Sequence, residues 1–218
     1  MRIVIAGGHG QIALRLERLL ATRGHGVAGI IRKPEQAEDL RAVGAEPVVL
    51  DLESASVGDV AAVLEGADAA VFAAGAGPGS GTARKETVDR DAAVLFADAA
   101  ERAGVRRHLL VSSTGADPDH PGDDVFDVYL RAKGEAEVHV RSTSALDWTI
   151  LRPGMLTNDP GTGLVLLAES TGRGPVPRDD VAAVLLELLN TPGTAGLTLN
   201  LISGSVPVAE AVKAVAAG

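Results

Sequence analysis

The sequence predicts a three-layer α/β/α domain built on a doubly wound parallel sheet, and three observations support this fold class. Short apolar runs alternate with longer amphipathic segments along all 218 residues. Glycine stands just past the end of four amphipathic segments, where a left-handed helix cap favours it. These residues are Gly24, Gly44, Gly66 and Gly104. A glycine-rich turn also joins the first apolar run to the first amphipathic segment, as in a β-α unit.

Seven of the apolar runs have the length of buried strands. They span residues 2–6, 27–31, 47–50, 69–73, 108–112, 148–152 and 197–201. Six segments between them place apolar residues at helical spacing, at 12–23, 35–43, 57–64, 88–103, 126–140 and 180–189. Neither a repeat nor a convincing linker divides the chain, so we expect one domain over residues 1–218. Right-handed crossovers between such strands put helices on both faces of the sheet.

Composition argues against several function classes. The chain is 46% hydrophobic and 22% charged, which is ordinary for a soluble domain. A formal net charge of -9 and an aromatic content of 2% disfavour binding to nucleic acid and to anionic membranes. No apolar run approaches the roughly 18 residues of a membrane span. We expect a cytoplasmic monomer or homodimer that acts on a small molecule.

The absence of cysteine and of paired histidines excludes further kinds of reactive and metal-binding site. The chain has no cysteine, which rules out disulfides, thiolate nucleophiles and cysteine metal sites. Its five histidines show no paired spacing on one helix face, so we predict no metal site.

The turn after the first strand reads GGHGQIA, residues 7–13, and leads directly into a helix. Gly7 supplies the backbone freedom of a tight turn, and Gly10 has no Cβ to block a pyrophosphate at the helix N-terminus. Ala13 lets the helix pack close to the sheet. The turn therefore predicts a dinucleotide site, with His9 as a neutral turn residue that faces solvent or cofactor. The cofactor contacts expected here are Gly7, Gly8, His9, Gly10, Gln11 and Ile12.

The end of the second strand predicts which dinucleotide binds. NAD sites usually have an acidic residue there, whereas this chain has Arg32 and Lys33, two cations suited to a 2′-phosphate. We therefore expect NADP(H), with NAD less favoured; the alternative is that both cations are a solvated pair opening a loop.

The carboxyl ends of the later strands are expected to complete the cofactor site, because ligands of open α/β sheets bind at that edge. Asp51 and Leu52 close the third strand where an adenine ring would lie. The remaining cofactor contacts expected along this edge are Ala73, Ala74, Gly75, Ser112 and Pro153. Two irregular segments, 74–82 and 115–124, follow strands and would border the same crevice.

Further segments occur in a recognisable order. They read LDLES, FAAGAG, VDRDAA, HLLVSSTGA, YLRAKGEAE, DWTILRPGMLT and RDDVAAVLLELL. Together with GGHGQIA and IIRKPEQ, they make the chain resemble the short-chain dehydrogenase/reductases, and among these the atypical NAD(P)H-binding subgroup. The resemblance covers essentially the whole chain. It implies a Rossmann-like fold, a nicotinamide dinucleotide and a reaction centre of Ser or Thr, Tyr and Lys. It also implies that residues 153–178 and 202–218 line or cover a small substrate pocket.

The residues themselves give a physical case for this centre. Tyr129 and Lys133 lie four apart on a predicted helix and share a face, and an ammonium beside a phenol favours the phenolate. Tyr129 is thus the candidate proton donor, and Lys133 would also hold the nicotinamide ribose. Ser113 or Thr114, at the end of the fifth strand, would hydrogen-bond the same substrate oxygen.

Asp89 is the remaining candidate for the centre. By the resemblance, it stands where better-known extended relatives have an Asn of the proton relay. Asp89 would hold the Lys133 ammonium directly or through water, or it would only cap a helix that starts at Val88.

The sequence therefore predicts an NADP(H)-dependent oxidoreductase that transfers hydride to a small carbonyl, a quinone or a flavin. Few polar groups follow Arg152 in the chain, so few side chains are available to hydrogen-bond a larger substrate such as a sugar nucleotide. Flavin reductases that resemble this subgroup transfer hydride with little help from a side-chain acid. The alternative from another class is a non-catalytic redox sensor, which would bind NADP(H) without turnover and report to a partner protein.

Overall fold

The computed structural model describes residues 1–77 and 79–218. Its strands are β1 (Arg2–Ala6), β2 (Gly26–Ile31), β3 (Glu46–Val49), β4 (Ala69–Phe72), β5 (Arg107–Val111), β6 (Asp147–Pro153), β7 (Met155–Thr157), β8 (Leu164–Ala168), β9 (Pro175–Pro177), β10 (Leu197–Ser203) and β11 (Val206–Pro207).

Nine of these strands form the central sheet, in the order β11-β8-β10-β6-β5-β4-β1-β2-β3. The seven strands predicted from the sequence form its parallel part, which runs without interruption from β10 to β3. The β8 strand is antiparallel to both of its neighbours. The predicted fold class, a mostly parallel Rossmann-like sheet, is confirmed.

The helices are α1 (Gln11–Thr22), α2 (Ala37–Ala42), α3 (Val57–Leu64), α4 (Thr82–Arg84), α5 (Ala92–Arg102), α6 (Val125–Ser142), α7 (Arg178–Leu189) and α8 (Val208–Val215). A 3-10 turn, Pro34–Gln36, precedes α2, and a π-helical segment, Lys85–Asp91, joins α4 to α5. The glycines that follow α1, α2, α3 and α5 have φ values of 77°, 86°, 71° and 73°, so the predicted left-handed caps are confirmed.

Two apolar cores separate the three layers. On one face of the sheet, α1, α2, α7 and α8 pack over alternate strand residues such as Ile3 and Ile5. On the other face, α3, α5 and α6 pack over the intervening residues such as Val4 and Ala6. Because both faces are covered, the strands are continuous apolar runs rather than alternating ones.

The structure differs from the prediction at the helix expected over 88–103. That helix begins at Thr82 as α4 and passes through the π-helical segment, so Asp89 lies inside it. The interpretation of Asp89 as a cap of a helix starting at Val88 is therefore wrong. The glycines just before Thr82 made this stretch resemble a loop.

The C-terminal part of the chain adds elements that the sequence did not predict. The β7 and β9 strands pair in a small separate sheet, whereas β8, β11 and α8 extend one edge of the main domain. Residues 202–218, expected at the substrate crevice, contribute the end of β10, β11 and α8, and α8 packs against α7 and β8. No helix within the described residues is both long and apolar enough to cross a bilayer.

Candidate active site

The glycine turn between β1 and α1 brings two parts of the backbone together. Gly7 has a φ of 78°, and a Cβ there would lie 2.5 Å from the Cα of Ala74 after β4. Gly8 packs in the same way against Gly29 of β2, where its Cβ would be 2.8 Å from the Gly29 Cα. No side chain of residues 1–77 or 79–218 caps α1 at Gly10, which leaves N–H groups of the first turn available to an anion.

A first cavity of about 250 Å³ lies at the carboxyl ends of β1 to β4. The expected cofactor residues that line it are Gly7, His9, Gly10, Arg32, Asp51, Leu52, Ala73, Ala74 and Gly75. Gln11 and Lys33 are exposed and are not among its lining residues. Gly8 is not among them either, because it packs against Gly29.

The first cavity contains a cation pair different from the one that the sequence suggested. Arg84 of α4 donates to the Glu53 carboxylate at 2.7 Å, and Arg32 lies 3.5 Å from the same oxygen. The Thr87 hydroxyl donates to the other oxygen at 2.7 Å. The Arg84 guanidinium holds the pKa of Glu53 below its usual range. The structure thus brings Arg32 together with Arg84 rather than with Lys33.

His9 forms one side of the first cavity and is held there by two residues of the α2 region. Its Nε2 lies 2.8 Å from Asp39, and its Nδ1 lies 3.1 Å from the Gln36 side-chain amide. Both ring nitrogens are therefore engaged by protein groups. The ring serves as a wall of the cavity, and Gln36 lines the cavity beside it.

A second cavity, of about 290 Å³, lies at the carboxyl ends of β4, β5 and β6. It shares residues 73–76 with the first, so the two cavities form one crevice on either side of this segment. The expected site residues that line it are Ile12, Ala73, Ala74, Gly75, Asp89, Ser112, Ser113, Tyr129, Lys133 and Pro153. Neither residues 115–124 nor residues 202–218 line these two cavities.

Lys133 is almost fully buried, and its ammonium is surrounded by oxygen atoms. It lies 3.2 Å from the Asp89 carboxylate and donates to the carbonyls of Val111 at 3.2 Å and Ala74 at 3.5 Å. The Asp89 side chain has no exposed surface and also accepts from the Ala76 N–H. The ion pair therefore ties α6 to the π-helical segment and to the ends of β4 and β5.

Tyr129 lies half-buried at the start of α6, with its ring between three side chains. Lys133 Nζ is 5.9 Å from the ring centroid, and Lys85 Nζ is 5.2 Å from it. Phe126 stacks on the ring at 5.8 Å between centroids. No residue within 1–77 and 79–218 hydrogen-bonds the Tyr129 hydroxyl, which leaves this group available to a ligand.

The structure separates the candidate hydroxyl groups after β5. Ser112 is buried and donates to Glu137 at 2.6 Å. Thr114 donates to the carbonyl of Arg152 at 3.1 Å and is not a lining residue. Ser113 lines the second cavity, where within the described residues its hydroxyl makes only a long 3.3 Å contact to the Thr114 carbonyl. Ser113 and Thr114 were the two candidates for the hydroxyl that binds the substrate oxygen, and of these two Ser113 lines the crevice.

Behind these hydroxyls lies a buried charge network that the sequence analysis missed. Glu137 has no exposed surface and accepts from Arg152 at 2.8 Å and from Arg141 at 2.6 Å. Arg152 also donates to the Ala116 carbonyl at 2.9 Å, which fixes the segment that follows Ser113. The available signal was the spacing of four residues along α6 from Tyr129 to Lys133, Glu137 and Arg141.

The sequence also did not predict four polar or charged residues that line the two cavities. They are Gln36, Glu53, Arg84 and Lys85. Arg84 and Lys85 belong to the helix that begins earlier than predicted, so no helical face was assigned to them. Among residues 1–77 and 79–218, no three His, Asp or Glu side chains lie together as a metal site would require.

Comparison with known proteins identifies the family. A family model described as NAD(P)H-binding matches residues 7–192. The chain belongs to this NAD(P)H-binding family. The NAD(P)H-binding chain is 37% identical over 214 residues to the uncharacterized sugar epimerase YhfK of Bacillus subtilis, covering 98% of this chain and 99% of YhfK. The resemblance to the atypical short-chain dehydrogenase/reductases is thus confirmed.

Two solved structures of related proteins resemble the fold of the NAD(P)H-binding chain closely. One, a candidate NAD-dependent epimerase/dehydratase of Bacillus halodurans, has a TM-score of 0.90 and 35% identity, covering 98% of this chain and 99% of its own. The other, the anaerobilin reductase ChuY of Escherichia coli O157:H7, has a TM-score of 0.78 and 27% identity, covering 93% of this chain and 97% of its own.

The crevice of the NAD(P)H-binding chain fits a nicotinamide dinucleotide. Added Cβ atoms would crowd the turn at Gly7 and at Gly10, where the added atom would be 3.0 Å from the Gly7 carbonyl oxygen. The uncapped start of α1 offers N–H groups for a diphosphate. The two cavities on either side of residues 73–76 suit the two ends of an elongated molecule.

Proposed function

We propose that the protein is an NADP(H)-dependent reductase that transfers hydride to a small carbonyl, a quinone or a flavin. The observation that carries this proposal is the two-part crevice. Arg32 lies in the first cavity, and Tyr129 with Ser113 lies in the second, on the other side of residues 73–76. A bound nicotinamide dinucleotide supplies the hydride.

The side chains of the second cavity supply the proton chemistry. With a carbonyl substrate, Tyr129 donates its phenolic proton to the substrate oxygen as the carbon is reduced, and Ser113 stabilises the charge on that oxygen with a hydrogen bond. Lys133 and Asp89 act as a buried pair beside the phenol. Loss of the phenolic hydroxyl removes the proton donor, so the rate of reduction is expected to fall.

The two arginines of the first cavity support a preference for NADP(H) over NAD(H). Arg32 and Arg84 both line this cavity and face Glu53, and together they balance the carboxylates of Asp51 and Glu53. A 2′-phosphate would take these guanidinium groups as hydrogen-bond partners, and arginine suits the bidentate contacts that phosphate makes.

The cofactor preference is tested by fluorescence titration with NADPH and NADH. We expect the wild-type protein to bind NADPH more tightly, and Arg32→Met to lose at least tenfold in NADPH affinity, since charge-assisted hydrogen bonds contribute about 1.5–3 kcal/mol. Lys33→Met removes one positive charge outside the cavity and serves as the matched control. The preference would be contradicted if the wild-type protein bound NADPH and NADH with equal affinity. Equal losses of NADPH affinity in Arg32→Met and Lys33→Met would also contradict it.

The reaction is tested by a turnover screen with NADPH against quinones, flavins and small carbonyls. UDP-sugars belong in the screen because YhfK is named as a sugar epimerase. We expect Tyr129→Phe to lower kcat about 10²- to 10⁴-fold, which is the usual contribution of a general acid, with an unchanged Kd for NADPH. Unchanged turnover of every accepted substrate would overturn the role of Tyr129, and epimerisation alone would overturn the reductase.

One observation favours the redox sensor as a second candidate. The Lys133 ammonium has three protons, and Asp89, Val111 and Ala74 offer it three protein oxygen atoms. The lysine can thus act as a structural tie at the crevice without serving a reaction. Tight NADPH binding without turnover of any compound in the screen would favour the sensor over the reductase.

A further inference from the structure

We propose that the ligand of the second cavity carries a carboxylate or another anionic group, which Lys85 binds. The proposal rests on the proposed function, because it names the substrate class of the same cavity. The substrate class is a carbonyl compound or quinone with an apolar body and one anionic group.

The charges that line the second cavity do not cancel. They belong to Lys85, Asp89 and Lys133. Asp89 and Lys133 are 3.2 Å apart and neutralise each other. Lys85 has no carboxylate within 4 Å among the described residues, and its ammonium donates only to the carbonyl of Gly77, at 3.0 Å. The cavity therefore carries one uncompensated positive charge.

Lys85 also lies near the proposed proton donor. Its Nζ is 5.2 Å from the centroid of the Tyr129 ring, on the wall that borders the cavity. One small molecule can therefore contact the Tyr129 hydroxyl with its oxygen and the Lys85 ammonium with an anionic group. Such a two-point contact would orient the reacting carbon, which is how remote charged groups contribute to catalysis.

The other lining groups define the rest of the ligand. Much of the wall is apolar, with contributions from Ile12, Val111, Pro153 and Leu156. These side chains suit an unsaturated or aromatic body, whereas they offer a chain of sugar hydroxyls no hydrogen bonds. The combination of an apolar wall and one ammonium selects an amphipathic anion.

The diphosphate of the dinucleotide is the other source of an anion in this crevice. The glycine turn and Arg32 line the first cavity, whereas Lys85 lines only the second. This separation favours the substrate as the partner of Lys85. The test must therefore measure the affinities for cofactor and for anion separately.

The test compares two ligands of the same shape, 2-naphthoate and 2-naphthamide, by isothermal titration calorimetry on the NADP⁺-saturated protein. We expect the wild-type protein to bind 2-naphthoate about tenfold more tightly, since a charge-assisted hydrogen bond distinguishes the two ligands. We expect Lys85→Met to lose this preference and to keep the affinity for 2-naphthamide and for NADP⁺. Lys213→Met removes an equal charge on α8, away from the crevice, and is expected to keep the preference.

Three results would overturn the proposal. The first is that the wild-type protein shows no preference for 2-naphthoate, which includes no binding of either ligand. The second is that the preference survives in Lys85→Met. The third is that Lys85→Met weakens NADP⁺ binding, which would assign Lys85 to the diphosphate. If NADP⁺ itself does not bind, the proposed function fails, and the same titrations on the protein alone still test the role of Lys85.

Discussion

At the scale of single residues, Glu17 is an ionisable group in an unusual environment. It lies on α1 with no exposed surface, its carboxyl oxygens have no hydrogen-bond partner among the described residues, and it packs against the backbone of Gly8 and Gly29. Burial raises the pKa of Glu17 to about 8. The carboxyl group is therefore protonated at neutral pH and sits directly beneath the glycine turn.

This group makes the stability of the protein fall as pH rises. The folded protein keeps the Glu17 proton up to about pH 8, whereas the unfolded chain releases it near pH 4.5, so unfolding becomes more favourable between these values. The total change is on the order of 4–5 kcal/mol, because each pH unit in this window contributes about 1.4 kcal/mol. Glu17→Gln is expected to remove most of this decline, measured by urea unfolding at pH 5.5, 7 and 8.5.

The control for Glu17 is Glu210→Gln, which removes an exposed carboxylate from α8. This variant is expected to follow the wild-type pH profile. If the profile of Glu17→Gln also ran parallel to that of the wild type, Glu17 would titrate normally in the folded protein.

The two hydroxyl groups after β5 are expected to respond differently to removal. Ser113 lines the crevice, so Ser113→Ala should lower kcat about 10- to 100-fold by removing a hydrogen bond to the reacting oxygen. Thr114→Ala removes a bond to the Arg152 carbonyl and should cost about 1 kcal/mol of stability, with little change in kcat. Steady-state kinetics and urea unfolding of both variants check this. A larger loss of kcat in Thr114→Ala would reverse the assignment.

At the scale of elements, one helix serves both cavities. Arg84, Val88 and Ala92 line the first cavity, and Lys85 and Asp89 line the second. The π-helical segment Lys85–Asp91 widens the turn that carries these residues, and such segments are frequent at functional sites. The sequence predicted this helix only from Val88, because Gly75, Gly77, Gly79 and Gly81 precede Thr82 and no side chain caps α4.

Helix α6 depends on a glycine for its distance from the loop that follows β5. A Cβ on Gly134 would overlap the backbone of Asp117 and Pro118. Gly134→Ala is therefore expected to lower the free energy of unfolding by about 1–3 kcal/mol, although alanine favours helices by about 1 kcal/mol. The matched control is Gly172→Ala, because a Cβ at Gly172 meets nothing within 4 Å. Equal stability of the two variants in urea unfolding would show that the loop can move away.

Physical reasons explain why some strands were not predicted from the sequence. The β7 and β9 strands have three residues each, and Pro175 and Pro177 in β9 are typical breakers of a strand pattern. The β8 strand joins the sheet antiparallel, through partners on β10 that a β-α-β pattern does not indicate. In contrast, the seven parallel strands were predicted within two residues of each end, because burial on both faces gives each a continuous apolar run.

At the scale of the whole molecule, the sequence predicted the backbone-defined part of the site better than its side-chain contacts. The glycine turn and the strand ends were predicted because local pattern and topology fix them. The pairing of Arg32 with Arg84 through Glu53 depends on three separate segments, which only the folded chain brings together. The role of Ser112 likewise depends on Glu137, 25 residues later.

A dinucleotide that spans the crevice would contact both halves of the sheet, so its binding should stabilise the whole domain. At a concentration of 100 times its Kd, NADPH is expected to add about 2.7 kcal/mol, which raises Tm by about 5–10 °C for a domain of this size. NADH at the same concentration should raise Tm less. Thermal unfolding of wild-type protein and of Arg32→Met checks this, and the difference between NADPH and NADH should be smaller in Arg32→Met, which keeps Arg84. An equal rise in Tm of the wild-type protein with NADPH and with NADH would contradict the preference for NADPH.

The wall that the two cavities share consists of Ala73, Ala74, Gly75 and Ala76. These residues separate the cavities with backbone and methyl groups, whereas the side chains that would distinguish one ligand from another lie on the outer walls. Under the proposed function, exchanges at Arg32 or Arg84 would alter cofactor choice without replacing any residue around Tyr129. Cofactor preference and substrate preference would then be separable by substitution, because different side chains line the two cavities.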